Sequence, residues 1–541
     1  MSDFETIDLN SLPYGNPDFS DIRESNKIYV DKTALIAKIA GQKAPVFFSR
    51  PRRFGKSLLI NTLASLFADG LEYFHGLDIE KIWKDKTYHV VRLDFSRMAE
   101  KKPDMVRSDL GEAIIKKFNM EGIVSQLGES GIRSPDGILE DICCKLQNNS
   151  VVLLIDEYDA PLTHHIDNYN ELKEIKSILN SFYLTIKQYT GKFRLIFITG
   201  VTRSSNVSIF SAFNNLKDIS FRKEFNSLLG FTKGELEYYF DRYIENAGHA
   251  LNMKKEDVYK RIQQYYDGYI FSPDAEQSLY NPWSIINFLD SPQEGFKNYW
   301  FETGGTPSII MQYLKIGDSS DFLDYNKRDV SVNINKFLKK YEITDIPREI
   351  LLYQAGYFSI CDEHDGTVRL IFPNVEVEES LLLLYLEENK LEVSKKLHKK
   401  IKNIERAIDS RDLIYIINIF NLILNECASS SSKIFDDERA VRDIIYAALI
   451  QTPSIQQIKE RDSAKGKSDL ELITSQTYMI IEFKRTYSTR GPKASLKKAV
   501  EQIKENRYGL LFSQDYSLYR VAMVISTEER RILQDFCQEV I

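Results

Sequence analysis

Three small sets of residues in this 541-residue chain have the types and spacings that phosphate chemistry needs. The first is Gly55-Lys56-Ser57, at the end of the basic run Arg50-Pro51-Arg52-Arg53-Phe54. A glycine lets the backbone approach an anion. The lysine would reach the β- and γ-phosphates of a nucleotide, and the serine hydroxyl would sit on Mg2+. The second set is Asp156-Glu157, about 100 residues further on. There one acid would hold Mg2+ through water and the next would orient or deprotonate an attacking water. The third is Asp469 with Glu482 and Lys484, the acids thirteen residues apart. Two carboxylates and a lysine can bind a divalent ion and position a water against a phosphodiester. Each set also has a bland reading: a basic surface loop, an acidic turn, and a surface salt bridge. The first also departs from the usual G-x-x-x-x-G-K-[ST], with Arg50 where a glycine is expected.

The flanking residues favour the chemical readings. Val46-Phe47-Phe48 reads as a buried strand, and Leu58, Leu59, Thr62, Leu63 and Leu66 follow at helical spacing. Strand, loop and helix would aim backbone N–H groups and the helix dipole at one anion. Five apolar residues, 151–155, read as a central parallel strand with Asp156 and Glu157 at its C-terminal end, where α/β sheets place ligands. A strand at 193–199 runs into Gly200-Val201-Thr202-Arg203 and fits beside the phosphate site. Thr199 or Thr202 would sense the γ-phosphate, and Arg203 would either neutralise transition-state charge or serve as a structural cation. Residues 88–95 read as a further strand, 105–147 as helical, and 28–33 as a short strand with Asp31 or Thr33 capping the helix 34–39.

From 231 to 380 aromatic helical segments suggest a mostly helical lid. Asn281-Pro282-Trp283-Ser284 and 304–308 are its turn and cap signals, and 351–360 with 368–371 would add a small hairpin. Charged helices at 380–427 lead to a serine run, 429–432, that reads as a flexible joint. The last hundred residues begin with a helix, 437–450, carrying Glu438. A hairpin of 468–473 and 477–484 follows. Glu482 and Lys484 alternate by two and project from one face, and Asp469 meets them from the neighbouring strand. The helix 494–505 offers Gln502, and Tyr508 follows it. Lys493, Lys497, Lys498 and Lys504 would touch nucleic-acid phosphates or form a solvated face.

Composition sets outer bounds. With 43% hydrophobic and 28% charged residues the profile is globular. A net charge of −7 excludes a wholly basic nucleic-acid binder and leaves only local charge for DNA. Five cysteines and seven histidines show no zinc spacing, which points to a reducing compartment. Residues 1–10 do not read as a signal peptide, and no apolar run approaches the ~18 residues of a membrane span, so a cytoplasmic protein with no membrane partner is expected.

As a set, these segments resemble the bacterial AAA-ATPase-like family that carries a C-terminal PD-(D/E)XK nuclease-superfamily domain. The N-terminal resemblance lies in IYVDKTALI (28–36), FFSRPRRFGKSLL (47–59), LLIDEYDAPL (153–162) and FITGVTRSSNVSIFSAFNNLKDIS (197–220). YYDGYIFS (265–272), YNPWSIINFL (280–289) and NYWFETGGTPS (298–308) extend it through the lid, and GKSDLELI (466–473), IIEFKR (480–485) and AVEQIKENRYG (499–509) through the last domain. Arg50 is then the family's own pattern. The resemblance implies an α/β chain with a P-loop NTPase core on a parallel sheet (1–230), a mostly helical lid (231–390) and a restriction-endonuclease-like α/β domain (391–541). It implies ATP and Mg2+ as cofactors, Mn2+ being acceptable at the nuclease site, and nucleic acid, DNA by expectation, as the partner. Arg53, Phe54, Gly55, Lys56, Ser57, Leu58, Asp156, Thr199 and Arg203 are the expected nucleotide-binding positions, with Ser57 and Asp156 on the metal. Glu157 would be catalytic there. Asp469 and Glu482 would hold the nuclease metal, Lys484 would stabilise charge, and Glu438 and Gln502 would complete that site. Glu438 fits the first acidic position, although 437–445 lacks the aromatic-His pair that often follows it. An ATP-regulated nuclease is the leading expectation. The alternative is a nucleotide-dependent switch or scaffold whose nuclease-like domain only binds a partner or DNA, and a homo-oligomer is compatible with either reading.

Overall fold

The computed structural model describes residues 11–123, 134–203, 215–302, 310, 329–388, 397, 400–401, 403–427, 435–449, 455–459, 462–463, 466–487, 491–506, 508–509 and 516–540. Described residues up to 378 form one compact unit and those from 379 onward a second. The signals at 304–308 and 429–432, and the 204–214 part of the resemblance, lie outside the described residues.

The first unit is built on β1 (Val46–Ser49), β2 (His89–Asp94), β3 (Val151–Asp156), β4 (Phe193–Gly200) and β5 (Lys217–Asp218). They form a parallel sheet in the order β2-β3-β4-β1-β5. β1 and β3 are buried along their whole length, as expected of strands covered on both faces. Because β4 lies between β1 and β3, the C-terminal ends Ser49, Gly200 and Asp156 come together. The loop after β1 enters the helix Lys56–Ala68 through Gly55 at φ 95°, a left-handed conformation that glycine adopts at little cost.

Residues 28–32 are not a strand. The Asp31 N–H bonds the Tyr239 hydroxyl instead of a sheet neighbour. The Asp31 carboxylate accepts the Thr33 N–H and hydroxyl at the start of the helix Thr33–Ala40, but the cap position itself is Lys32, whose side chain makes no capping bond, so neither Asp31 nor Thr33 is the expected cap residue.

The same unit contains the helical segment, so the division expected at 230 falls within it. Helices Lys233–Leu251, Lys255–Tyr266 and Pro282–Asp290 pack through Leu236, Phe240, Ile262, Tyr266 and Phe288. Thr232 and Glu235 close a reciprocal cap, and Asn281 caps the third helix ahead of Pro282. The expected hairpin needs correction. Residues 351–355 belong to the helix Arg348–Ala355, which Gly356 ends at φ 92°. β6 (Asp329–Asn333), ahead of that helix, and β7 (Ser359–His364) and β8 (Thr367–Ile371), after it, form a three-stranded antiparallel sheet in the order β6-β8-β7.

In the second unit β9 (Gln456–Lys459) is followed by the small hairpin β10 (Asp462–Ser463) and β11 (Gly466–Lys467). Then come β12 (Leu470–Ile473), β13 (Thr477–Thr486), β14 (Ser517–Ser526) and β15 (Arg531–Glu539). The main sheet runs β15-β14-β13-β12-β9, with β13 and β14 parallel and the other pairs antiparallel. The parallel step requires a crossover. The helix Pro492–Asn506 lies in that connection and packs Ala499 and Ile503 on Tyr478, Ile480 and Ala522. Among the described residues no helix is long and apolar enough to cross a membrane.

Candidate functional site

The loop after β1 is held from below by Arg50. Its backbone N–H bonds the Gly200 carbonyl at 3.2 Å. Its guanidinium donates to the carbonyls of Ser49, Ser220 and Phe225 at 2.9, 2.8 and 3.0 Å. The rings of Phe48 and Phe271 lie 4.3 and 4.2 Å from its centre. Burial pulls its pKa down to about 9. The residue that replaces the usual glycine is therefore a buried strut turned away from any nucleotide. Lys56 folds back over the loop and donates to the carbonyls of Arg50 and Pro51 at 3.0 and 2.9 Å. Burial lowers its pKa, with Glu157 and Asp156 opposing.

Residues from beyond 280 complete the loop. A Cβ at Gly356 would stand 2.7 Å from the Pro51 ring, so only glycine allows this approach. The Trp300 indole N–H donates to the Arg52 carbonyl at 3.4 Å, and the Arg53 guanidinium stacks on Trp283 at 4.3 Å. Phe54 turns inward, edge-on to Tyr269 and Phe271, and its ring anchors the loop.

At the end of β3 the Asp156 carboxylate gathers three donors. Ser57 Oγ is at 2.8 Å, Thr199 Oγ1 at 3.1 Å and the Glu157 N–H at 3.0 Å. Glu157 has φ 49°, a left-handed backbone that a non-glycine residue adopts at some cost, as residues at functional sites often do. Its carboxyl is pushed up by burial, against the pull of Lys56 and Arg52. Arg203 is not brought to this site. Its guanidinium donates twice to Asp218, at 3.1 and 2.7 Å, lies 4.1 Å from the Phe221 ring, and lines a separate cavity of about 560 Å³. The expected transition-state role does not follow from this placement. Thr202 is also turned away, because its N–H and hydroxyl bond Asp159.

A cavity of about 600 Å³ opens on the loop. Its lining combines Lys56, Ser57 and Glu157 with apolar residues such as Pro13, Val30, Phe231, Trp283 and Ile286. Its size is that of a small-molecule site, and its lining is both polar and apolar. The part of Trp283 in this lining was not legible in the sequence: Asn281-Pro282-Trp283 signalled a cap, and nothing local tied Trp283 to Arg53.

In the second unit the β12–β13 register sets Leu470 opposite Ile481, so Asp469 precedes the strand beside Glu482. Asp469 Oδ2 accepts the Phe483 N–H at 2.7 Å. Glu482 Oε1 accepts from Lys484 Nζ at 2.7 Å, whereas its buried Oε2 has no hydrogen-bond partner among the described residues. Lys484 Nζ also stands 4.0 Å from Glu438, whose Oε1 accepts the Arg485 N–H at 2.6 Å. Burial and the Asp469 charge push Glu482 up to about 8 against Lys484, and burial likewise raises Asp469. Lys484 is raised by Glu482 despite its own burial. Gln502 donates to the Tyr508 hydroxyl at 3.3 Å, and that hydroxyl donates to the Lys467 carbonyl. Gln502 is thus tied to Tyr508, whose pKa burial raises and which the charges of Glu482 and Asp469 push further up.

Arg442 was missed. It follows Glu438 by four residues on the same helix face, and its charge favours ionised Asp469. Glu471 is the other acid of the hairpin, but it is occupied by Ser468 and Tyr478. Lys493, Lys497, Lys498 and Lys504 are exposed, and Lys497 pairs with Glu501. Among the described residues no three His, Cys, Asp or Glu side chains stand in a ready metal cluster. The fit for a divalent ion rests on the Asp469–Glu482 pair and the unpartnered Oε2.

Both regions match known families. Residues 13–210 match the family described as Predicted AAA-ATPase, and residues 436–535 match the PD-(D/E)XK nuclease superfamily. A protein of Azotobacter chroococcum mcd 1, described as an uncharacterized protein in the vnfD 5' region, is 31% identical over 387 residues, covering 70% of this chain and 71% of that protein. The chain belongs to the predicted AAA-ATPase family and carries a C-terminal PD-(D/E)XK nuclease-superfamily domain.

Proposed function

We propose that the protein binds and hydrolyses ATP in its first unit and cleaves nucleic acid, DNA in the first instance, in its second, with nucleotide state licensing cleavage. The observation that carries the nuclease half is the buried, unpartnered Oε2 of Glu482 beside Asp469 and Lys484. A buried carboxylate oxygen without a donor is costly, and a divalent ion is the partner this donor set suits.

Asp469 and Glu482 would hold Mg2+ or Mn2+, which when bound supplies Lewis acidity toward the scissile phosphate. Lys484 offsets the negative charge that grows on the phosphate, and Glu438 keeps Lys484 turned toward Glu482. Gln502 positions Tyr508. In the first unit, Lys56 would exchange its two loop carbonyls for phosphate oxygens. Ser57 and Asp156 would hold Mg2+ with Thr199 orienting the acid, and Glu157 would take a proton from the attacking water. The loop with its sheet, the helical lid and the PD-(D/E)XK unit would be the three working parts.

The test is cleavage of linear, circular and single-stranded DNA by the purified full chain, with Mg2+ or Mn2+, with and without ATP. Asp469→Ala should abolish cleavage, and Lys56→Ala should change its ATP dependence. No cleavage under any condition, with Lys56-dependent ATP hydrolysis intact, would replace this reading with a nucleotide switch whose second unit only binds.

A further inference from the structure

If the first unit hydrolyses ATP, it needs a positive charge at the γ-phosphate beyond Lys56, because charge there grows as the bond to the leaving oxygen breaks. The sequence offered Arg203, and Asp218 holds that side chain. Four other cations line the cavity at the loop: Lys32, Arg52, Arg53 and Lys56. Lys32 is bound by both oxygens of Glu235 at 2.6 Å. Arg53 is stacked on Trp283. Lys56 belongs to the phosphate loop itself. Arg52 differs from all of these. Trp300 pins its carbonyl, yet among the described residues its guanidinium makes no hydrogen bond and no ion pair. Its charge acts on both Lys56 and Glu157, the two residues that would flank the reacting phosphate.

We propose that Arg52 neutralises the γ-phosphate in cis, so that one chain carries its whole hydrolytic set. The proposal rests on the ATPase reading above and deepens it. A water oxygen forms one bond to the γ-phosphorus while the bond from that phosphorus to the β–γ bridging oxygen breaks. The electron pair leaves on ADP, and the water proton passes through Glu157 to solvent. The Arg52 guanidinium donates to the oxygens that gain charge and forms no covalent bond. An arginine placed four residues ahead of the loop lysine spares the site a partner subunit's side chain, and Trp300 fixes where that arginine starts.

The experiment measures ATP turnover and, separately, the affinity for a fluorescent ATP analogue, on the full chain and on Arg52→Ala, Arg52→Lys and Lys56→Ala. Arg52→Ala should lose about 10²–10³-fold in kcat while its affinity stays within about fivefold, and Arg52→Lys should fall between. Turnover per chain should not change with protein concentration, and a mixture of Arg52→Ala with Lys56→Ala should recover nothing. An Arg52→Ala protein that turns over within about threefold of wild type overturns the proposal. So does recovery in the mixture, which would show the charge coming from a neighbouring chain. Wild type that binds the analogue but never turns over ATP overturns the ATPase reading and this inference together. That result is distinct from the others, in which wild type is active.

Discussion

The two candidate sites handle buried carboxylates in opposite ways. At the end of β3, Asp156 is the acceptor for a serine, a threonine and a backbone N–H, so its bonding is met before any ligand arrives. In the hairpin of β12 and β13, Glu482 has one oxygen on Lys484 and the other on nothing, and its pKa is pushed to about 8. The first site is built by contacts far apart in sequence: Arg50 reaches carbonyls 170 and 175 residues away, and Trp300 reaches the loop from 248 residues away. The second is built from one hairpin and one helix. A satisfied site stays formed while its ligand comes and goes, which suits a nucleotide that is exchanged. A site with an unmet charge gains most when its ion binds, which suits metal-dependent control.

The largest effect expected from this contrast is in the hairpin. Asp469→Asn or Glu482→Gln should cut DNA cleavage by about 10³-fold or more, because each removes a charge the metal needs. ATP turnover should remain within about twofold. An equal loss in both activities would show that the two sites are not chemically separate.

Next in size is a substitution that looks like a repair. Arg50→Gly restores the usual glycine of a phosphate loop, yet it should destabilise the first unit by about 3–5 kcal/mol, since three buried carbonyls lose their donor. Urea unfolding measures this directly. A neutral or stabilised Arg50→Gly protein would contradict the role of Arg50 as a strut.

These cases show what was legible in the sequence. Gly55-Lys56-Ser57, Asp156-Glu157 and the Asp469/Glu482/Lys484 set could be read because each lies within one strand, one loop or one short hairpin, where period and spacing decide geometry. The parallel core could be read for the same reason, since five consecutive apolar residues leave little choice for β3. What could not be read depended on partners distant in sequence. Arg203 stands at a strand end facing the right region, but Asp218 on β5 takes it, and nothing in the Gly200–Arg203 run announces Asp218. Arg50 looked like a departure from a loop pattern until its carbonyl partners were in place. Residues 28–30 are an apolar run that read as a strand, and Tyr239, 208 residues away, bonds the Asp31 N–H.

A smaller effect should sharpen the first site. Trp283 lines the cavity and stacks on Arg53. Trp283→Ala should weaken binding of a fluorescent ATP analogue by about tenfold, the effect of one lost aromatic contact. Its kcat should change less than its affinity. The reverse pattern would move Trp283 from binding to chemistry.

The smallest predicted effect tests the unmet charge itself. The folded-state pKa of Glu482 lies near 8, above its ordinary value of 4.5, because burial and Asp469 disfavour the ionised form. The folded protein therefore holds this proton more tightly than the unfolded chain does. The stability linked to Glu482 is fully present below about 4.5 and is lost as pH rises toward about 8. Glu482→Gln removes the charge and keeps the shape. Without added metal, Glu482→Gln and wild type should melt alike near pH 5, and the substituted protein should melt higher than wild type above pH 8. Saturating Mg2+ or Mn2+ should raise the wild-type melting point and shrink that gap, because the ion satisfies the oxygen that the amide had relieved. A gap that stays constant from pH 5 to pH 9 would mean that the carboxylate finds a donor in solution. In that case the contrast between a satisfied and an unsatisfied site would not hold.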